Sequence, residues 1–263
     1  MNLAVRKGYV ETSAGQIHFR RAGDVGPWLF LLHQSPFSSR QFERCLPYIG
    51  RAARAVAFDS PGYGASDIRN RPSSLRDYAV TLFEAIDNLG AQDFALAGFH
   101  TGAGVALELA CLAKRRVSKL VVTGVPLLSS DRLAALLQEI VPPQIREDGT
   151  HLTDEWSSRF ANWGPDGGLE QVQVAVSEAL SVYHRYRWGF EALKGHDPGQ
   201  LLSAIDIPVL FVTSSRDSLR TEDAVSMPMC KDARMVDLGA VPPQLPWTAS
   251  QEYAAAILEF MAT

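Results

Sequence analysis

The chain has 263 residues, 46% of them hydrophobic and 21% charged, with a formal net charge of −4. That length accommodates one large α/β domain, or one domain carrying an inserted subdomain, and it buries enough surface to need no disulfide or metal for stability. The mild acidity excludes nucleic acid and anionic membrane as main partners, since both call for a concentrated basic surface.

Residues 9–12 and 16–20 alternate polar and apolar around Ala14-Gly15, which predicts two antiparallel strands joined by a tight turn. Residues 28–32 form an unbroken apolar run of strand length, as a strand buried on both faces requires. A helix is expected over 40–49 with Gly50 as its stop, and a second buried strand over 53–58 leads into the turn-rich segment 59–64. Ser73 or Ser74 offers the N-cap of a helix in which Leu75, Ala79, Leu82, Ile86 and Leu89 recur at helical spacing, with Gly90 as its C-cap. A strand at 94–97, a helix at 102–114 and a strand at 120–123 follow. This alternation with short connections specifies a parallel sheet with right-handed crossovers.

From 128 to 199 strand signal disappears and amphipathic stretches take over, one through Leu133, Leu136, Leu137 and Ile140, another through Leu169, Val172, Val176, Leu180 and Tyr183. Strands return at 207–213 and 234–238, and a last helix is expected over 250–261. The domain reading is therefore a core of 1–127 and 200–263 with a helical cap, 128–199, inserted after the sixth strand. Such an insert is placed to roof the edge where ligands of open α/β sheets bind. Cys45, Cys111 and Cys230 lack paired spacing, the first residues carry no signal-peptide run, and no apolar stretch is long enough to span a bilayer. A cytoplasmic protein with reduced thiols is expected; no metal or cofactor is called for, and a homodimer is left open.

The segment Gly98-Phe99-His100-Thr101-Gly102, between a strand and a helix, resembles the nucleophile elbow G-x-S-x-G of the α/β-hydrolase fold superfamily, with His100 at the serine position. Leu31-Leu32-His33-Gln34-Ser35-Pro36 resembles the superfamily's oxyanion loop with Gln34 in place of glycine, and residues 57–67 resemble its D-x-P-G-x-G-x-S loop. Residues 207–217 are similar to the strand that delivers the acid, which puts Asp217 at the acid position. Where the superfamily carries its catalytic histidine this chain reads Gly239-Ala240-Val241-Pro242-Pro243-Gln244, and no histidine follows His196.

The resemblance implies a mostly parallel central sheet flanked by helices, a small-molecule substrate, and an oxyanion hole at Gln34 and Thr101. The two losses exclude a Ser–His–Asp relay. They are also compatible with one compensating change: an imidazole on the elbow reaches into the space of the missing histidine, pairs with Asp217, and turns its second nitrogen to the pocket as a general base. Ser35 is a candidate relocated nucleophile, set against an ordinary turn residue before Pro36. His33, as a brace of the oxyanion loop, together with Phe99 and His184, completes the candidate substrate-binding set. For His184, and for Trp156, Phe160 and Trp163, packing inside the insert is the competing account; Arg185 or Arg187 facing inward would imply an anionic substrate. His18 is expected at the surface. Three functions stay open: hydrolysis of an ester, lactone or activated carbonyl, a cofactor-independent lyase or isomerase, and a non-catalytic small-molecule binder. Covalent catalysis through a modified histidine is a weaker reading, because no second base is evident to assist deacylation.

Overall fold

A computed structural model describes residues 3–67, 74–164 and 166–263. Eight strands form one sheet in the order β1-β2-β4-β3-β5-β6-β7-β8. They are β1 (Arg6–Thr12), β2 (Gly15–Ala22), β3 (Trp28–Leu32), β4 (Arg54–Phe58), β5 (Phe94–Phe99), β6 (Val117–Thr123), β7 (Val209–Thr213) and β8 (Ala233–Asp237). β2 pairs antiparallel with β1 and β4, and every other neighbouring pair is parallel. The strand order turns at β3, so β3 and β5 lie side by side at the centre and their C-terminal ends open onto the same edge.

β3 shows why its sequence is apolar throughout. Phe30 and Leu32 enter a core with α2 (Leu75–Asn88) and α3 (Thr101–Ala113), while Leu29 and Leu31 enter a second core, across the sheet, with α1 (Leu46–Ile49) and α11 (Ser250–Ala262). Both faces are covered, so alternation has no reason to appear. Full burial of a leucine or phenylalanine such as Leu31 or Phe30 is worth roughly 1.5–3 kcal/mol. Helix α2 begins at Ser74, whose hydroxyl accepts from the Asp77 N–H while the Asp77 carboxylate accepts from the Ser74 N–H, a reciprocal capping box. Ser73, the alternative cap, lies outside the described residues.

Three expectations change. The helix over 40–49 is broken into a 3-10 turn, Ser39–Phe42, and the short α1, because Pro47 lacks the N–H a continuous helix would use and suits only a first turn. His18 is buried rather than exposed: the loop after β4 folds over β2, and His18 Nδ1–H donates to Asp59 Oδ2 at 2.8 Å. Phe160 is exposed, so it is not packed inside the insert.

Between β6 and β7 the described residues hold only helices: α4 (Ser130–Glu139), α5 (Thr150–Trp163), α6 (Leu169–Ser181), α7 (Trp188–Glu191) and α8 (Pro198–Ala204), with a 3-10 turn at Tyr183–Arg185. α9 (Arg220–Ser226) follows β7, and the short α10 (Leu245–Thr248) precedes α11. Among the described residues no helix is long and apolar enough to cross a membrane. The three cysteines are all free.

Candidate active site

The turn between β5 and α3 is built by close approach. A Cβ on Gly98 would lie 2.4 Å from the Gly102 carbonyl oxygen, and a Cβ on Gly102 would lie 2.1 Å from the Leu32 carbonyl oxygen, so only glycine fits at either place. His100 sits between them with φ 50° and ψ −114°, a conformation that costs a non-glycine residue about 1–3 kcal/mol. Its backbone is over-determined: the N–H donates to the Thr123 carbonyl at 2.8 Å, and its carbonyl accepts from the Ala103 and Gly104 N–H groups at 2.8 and 3.2 Å. The strain lifts the side chain out of the sheet at its C-terminal edge.

The imidazole is closely packed. Phe99 stacks on it at 4.6 Å between ring centroids, and a Cβ on Gly124 would lie only 2.2 Å from its Cδ2. Nε2 lies 3.0 and 3.1 Å from the two oxygens of Asp217. Asp217, set on the turn after β7, also accepts the Leu219 N–H at 2.8 Å. Burial would raise the Asp217 carboxyl, but the charge and hydrogen bond of His100 and the Leu219 N–H outweigh it and hold it low. An ionised carboxylate only accepts, so Nε2 carries the proton and Nδ1 is the lone-pair nitrogen of the neutral ring. Among the described residues Nδ1 has no hydrogen-bond partner. Burial pulls the imidazole pKa down, yet Asp217, with Asp223 and Glu222 behind it, holds it above the ordinary value.

Asp223, from α9, is fully buried and accepts the N–H groups of Gly124 and Val125 at 2.9 and 2.7 Å. It thereby fixes the loop that walls His100. Burial, reinforced by Asp217, pushes its carboxyl up to about 7 against the pull of those two N–H groups and of His100.

The predicted oxyanion hole requires a correction. The Gln34 N–H donates to Gln41 Oε1 at 2.9 Å and the Ser35 N–H donates to Thr101 Oγ1 at 2.6 Å, so neither loop donor is open. The cause is local: Gln41, in the 3-10 turn, and Thr101, at the head of α3, each bring an oxygen to an N–H that the resemblance leaves for substrate. The Thr101 N–H, in the first turn of α3, has no partner among the described residues. Ser35 is likewise turned away from the base; its Oγ receives the Thr101 hydroxyl at 3.3 Å and lies against Gly189, whose absent Cβ would fall 1.8 Å from it.

A cavity of about 400 Å³ opens over His100 and Asp217, floored by Gln34, Ser35, Phe99, Thr101 and Gln244 and walled by Arg159, Asn162, Trp163, Tyr186 and Phe190 from the helical segment. A second chamber of about 220 Å³ shares His100, Thr101, Phe190 and Ser218 with it and is lined by Pro126, Leu128, Arg132, Leu136, Leu193 and Leu219. His100 therefore stands where the two chambers meet.

Phe99 reaches the cavity wall, but the two candidate histidines do not. His33 Nδ1–H donates to the Gln34 carbonyl at 2.8 Å and its Nε2 accepts the Ser60 N–H at 2.9 Å, which braces two loops and leaves nothing for a ligand. His184 is exposed: in its 3-10 turn Arg185 points inward to the Gly62 carbonyl at 2.8 Å and Tyr186 faces the cavity, which directs the residue beside them outward. The inward Arg185 thus supports a loop rather than greeting an anion. The cationic groups on the cavity are Arg159 and Arg216, paired with Glu155 at 2.6 Å and Asp166 at 2.9 Å. Arg159 comes from a helix that periodicity did not mark, and Gln41 and Gln244 carry no motif. Only the place of Gln244, in the loop expected to hold a histidine, hinted at its position. Among the described residues no grouping of three or more His, Cys, Asp or Glu side chains could hold a metal ion.

The family model for the alpha/beta hydrolase fold matches residues 27–167. The chain is 28% identical over 123 residues to an uncharacterized hydrolase of Saccharomyces cerevisiae, covering 46% of this chain and 42% of the relative. It is 26% identical over 114 residues to a haloalkane dehalogenase of Mesorhizobium japonicum, covering 43% and 37% respectively. The chain thus spans about two fifths of the length of either relative. A crystal structure of a hydrolase from Pseudomonas aeruginosa PA01 superposes with a TM-score of 0.78 at 24% identity, covering 98% of this chain and 99% of that one.

Proposed function

Because the chain belongs to the α/β-hydrolase fold family, we propose that it is a small-molecule enzyme in which His100, paired with Asp217, acts as general base in the hydrolysis of an ester, lactone or activated carbonyl compound. The observation that carries this reading is the 3.0 Å contact of Nε2 with Asp217, which leaves Nδ1 as a basic nitrogen at the junction of two chambers. Asp217 fixes the tautomer and stabilises the imidazolium that forms when Nδ1 takes a proton from water. The helical segment 128–199 serves as a cap that keeps bulk water off the reacting carbon, and the Thr101 N–H at the head of α3 faces the developing negative charge. The leucine-rich second chamber takes the hydrocarbon arm of the substrate, and the chamber with Arg159 and Asn162 takes its polar end.

A second reading, a cofactor-independent lyase or isomerase, draws support from the occupied Gln34 and Ser35 N–H groups, since proton transfer by a single base leans less on a full oxyanion hole. The deciding experiment assays wild type beside His100→Ala on aryl esters, thioesters and lactones, with folding checked by circular dichroism. Turnover that falls by about 10²–10⁴-fold in a folded His100→Ala variant supports the dyad. Equal activity in both sinks it, and no turnover by either transfers the weight to the lyase reading.

A further inference from the structure

We propose that Gln244 is the side chain that holds the carbonyl or carboxylate oxygen of the substrate, its amide N–H aimed into the His100 cavity by Gln41. The inference builds on taking that cavity as the reaction site. It starts from the one donor whose direction is beyond choice: the Gln34 backbone N–H can only donate, so the Gln41 atom 2.9 Å from it must be its oxygen. The other end of that amide is then NH₂, and it meets the Gln244 side chain at 2.9 Å, which must present oxygen in turn. What remains at the far end of Gln244 is its own NH₂, with no partner among the described residues. Gln41 and Gln244 are both more than nine-tenths buried, so water does not offer an alternative orientation. One backbone donor thus sets the polarity of two side-chain amides in series.

A further observation points the same way. Gln244 is held at φ 74°, a left-handed conformation that favours glycine, and is pinned there by its carbonyl, which accepts the N–H groups of Trp247 and Thr248 at 2.8 and 3.0 Å. An oriented donor left without a partner on the cavity wall calls for an acceptor in the occupant, because buried polar groups are otherwise satisfied. The ligand class is an oxygen acceptor on a short acyl group, which suits both an ester carbonyl and the carboxylate released from it.

The test uses sodium butyrate as the probe and follows the Gln244 side-chain amide pair in ¹⁵N-labelled full-length protein, with affinity measured in parallel for wild type, Gln244→Leu, Gln41→Glu and His100→Ala. Butyrate is expected to shift the Gln244 amide pair in wild type and to bind Gln244→Leu about tenfold to a hundredfold more weakly, the effect of losing one hydrogen bond to a charged group. Gln41→Glu, which no longer donates to Gln244 and lets its amide turn over, is expected to weaken binding without lining the cavity itself. An unmoved Gln244 signal, equal affinity in Gln244→Leu, or no butyrate binding by wild type overturns the assignment. Retained butyrate binding in a protein that turns over no ester would break the hydrolysis reading alone and leave the Gln244 donor standing.

Discussion

Two histidine–carboxylate pairs in this molecule have nearly the same length and opposite surroundings. Under the loop after β4, His18 Nδ1 meets Asp59 at 2.8 Å; at the elbow, His100 Nε2 meets Asp217 at 3.0 Å. Asp59 also accepts the N–H groups of Ser39 and Ala65 at 2.7 and 2.8 Å and has the Arg20 guanidinium 4.0 Å away. Burial alone would raise its carboxyl, but His18, Ser39, Ala65 and His33 together bring it down to about 2. That pair is buried and clamps a loop to a strand. Among the described residues the elbow pair has one nitrogen without a partner, and His100 lines two chambers. A third pair, His196 Nδ1 with Glu108 at 3.1 Å, leaves Nε2 unpaired but sealed in protein. Distance alone therefore does not distinguish a reactive pair from a structural one; the unspent nitrogen and the space before it do.

The largest effect that sharpens this contrast is expected at the sealed pair. Asp59→Ala leaves the buried His18 Nδ1–H and the Ser39 and Ala65 backbone donors without their acceptor, and removal of one partner from a buried ionic cluster costs about 3–5 kcal/mol. Urea unfolding should show that loss, and the variant that still folds should keep most of its ester turnover. If Asp59→Ala instead kept its stability and lost turnover, the division into structural and chemical pairs would be broken.

At the elbow the balance should reverse. Asp217→Asn keeps the size of the side chain but loses the charge and the unambiguous acceptor, so the tautomer with the lone pair on Nδ1 is no longer enforced. Ester turnover is expected to fall by about 10²-fold, with a smaller loss of unfolding free energy than Asp59→Ala shows. The comparison fails at this point if the two variants rank the other way in stability.

How much of this was legible beforehand depends on the kind of signal. The elbow rests on Gly98 and Gly102, whose roles are steric and whose spacing is local, and the parallel sheet on apolar runs such as 28–32; both are written in short stretches of sequence. The approach of His100 to Asp217 follows from strand order, since both stand just past the C-terminal ends of β5 and β7, which flank β6. Hydrogen bonds between distant amides leave no such trace. Gln41 and Gln244 are 203 residues apart, and neither spacing nor periodicity joins them. The oxyanion loop misled for the same reason: its backbone matches the resemblance, but the oxygens that occupy its donors belong to Gln41 and Thr101. His18 was misplaced because alternation marks only half-buried strands, and β2 is covered by the loop after β4 as well as by its own core.

The smallest effect is a shift in a pH profile, and it isolates what Asp217 contributes to the base. Only the neutral imidazole can take a proton, so kcat/KM should rise with pH as His100 deprotonates. Two influences oppose each other there: burial lowers the imidazole, and the charge and hydrogen bond of Asp217 raise it, with the second prevailing over the ordinary value of 6.5. The wild-type profile should therefore turn over above pH 6.5. In Asp217→Asn the raising influence is largely gone while burial persists, so the midpoint should move to the acid side. The residual activity of that variant would then persist to lower pH than wild type does. A midpoint that stays put would mean that Asp217 orients the ring without holding its charge, and the elbow pair would then differ from the sealed pair by its cavity alone.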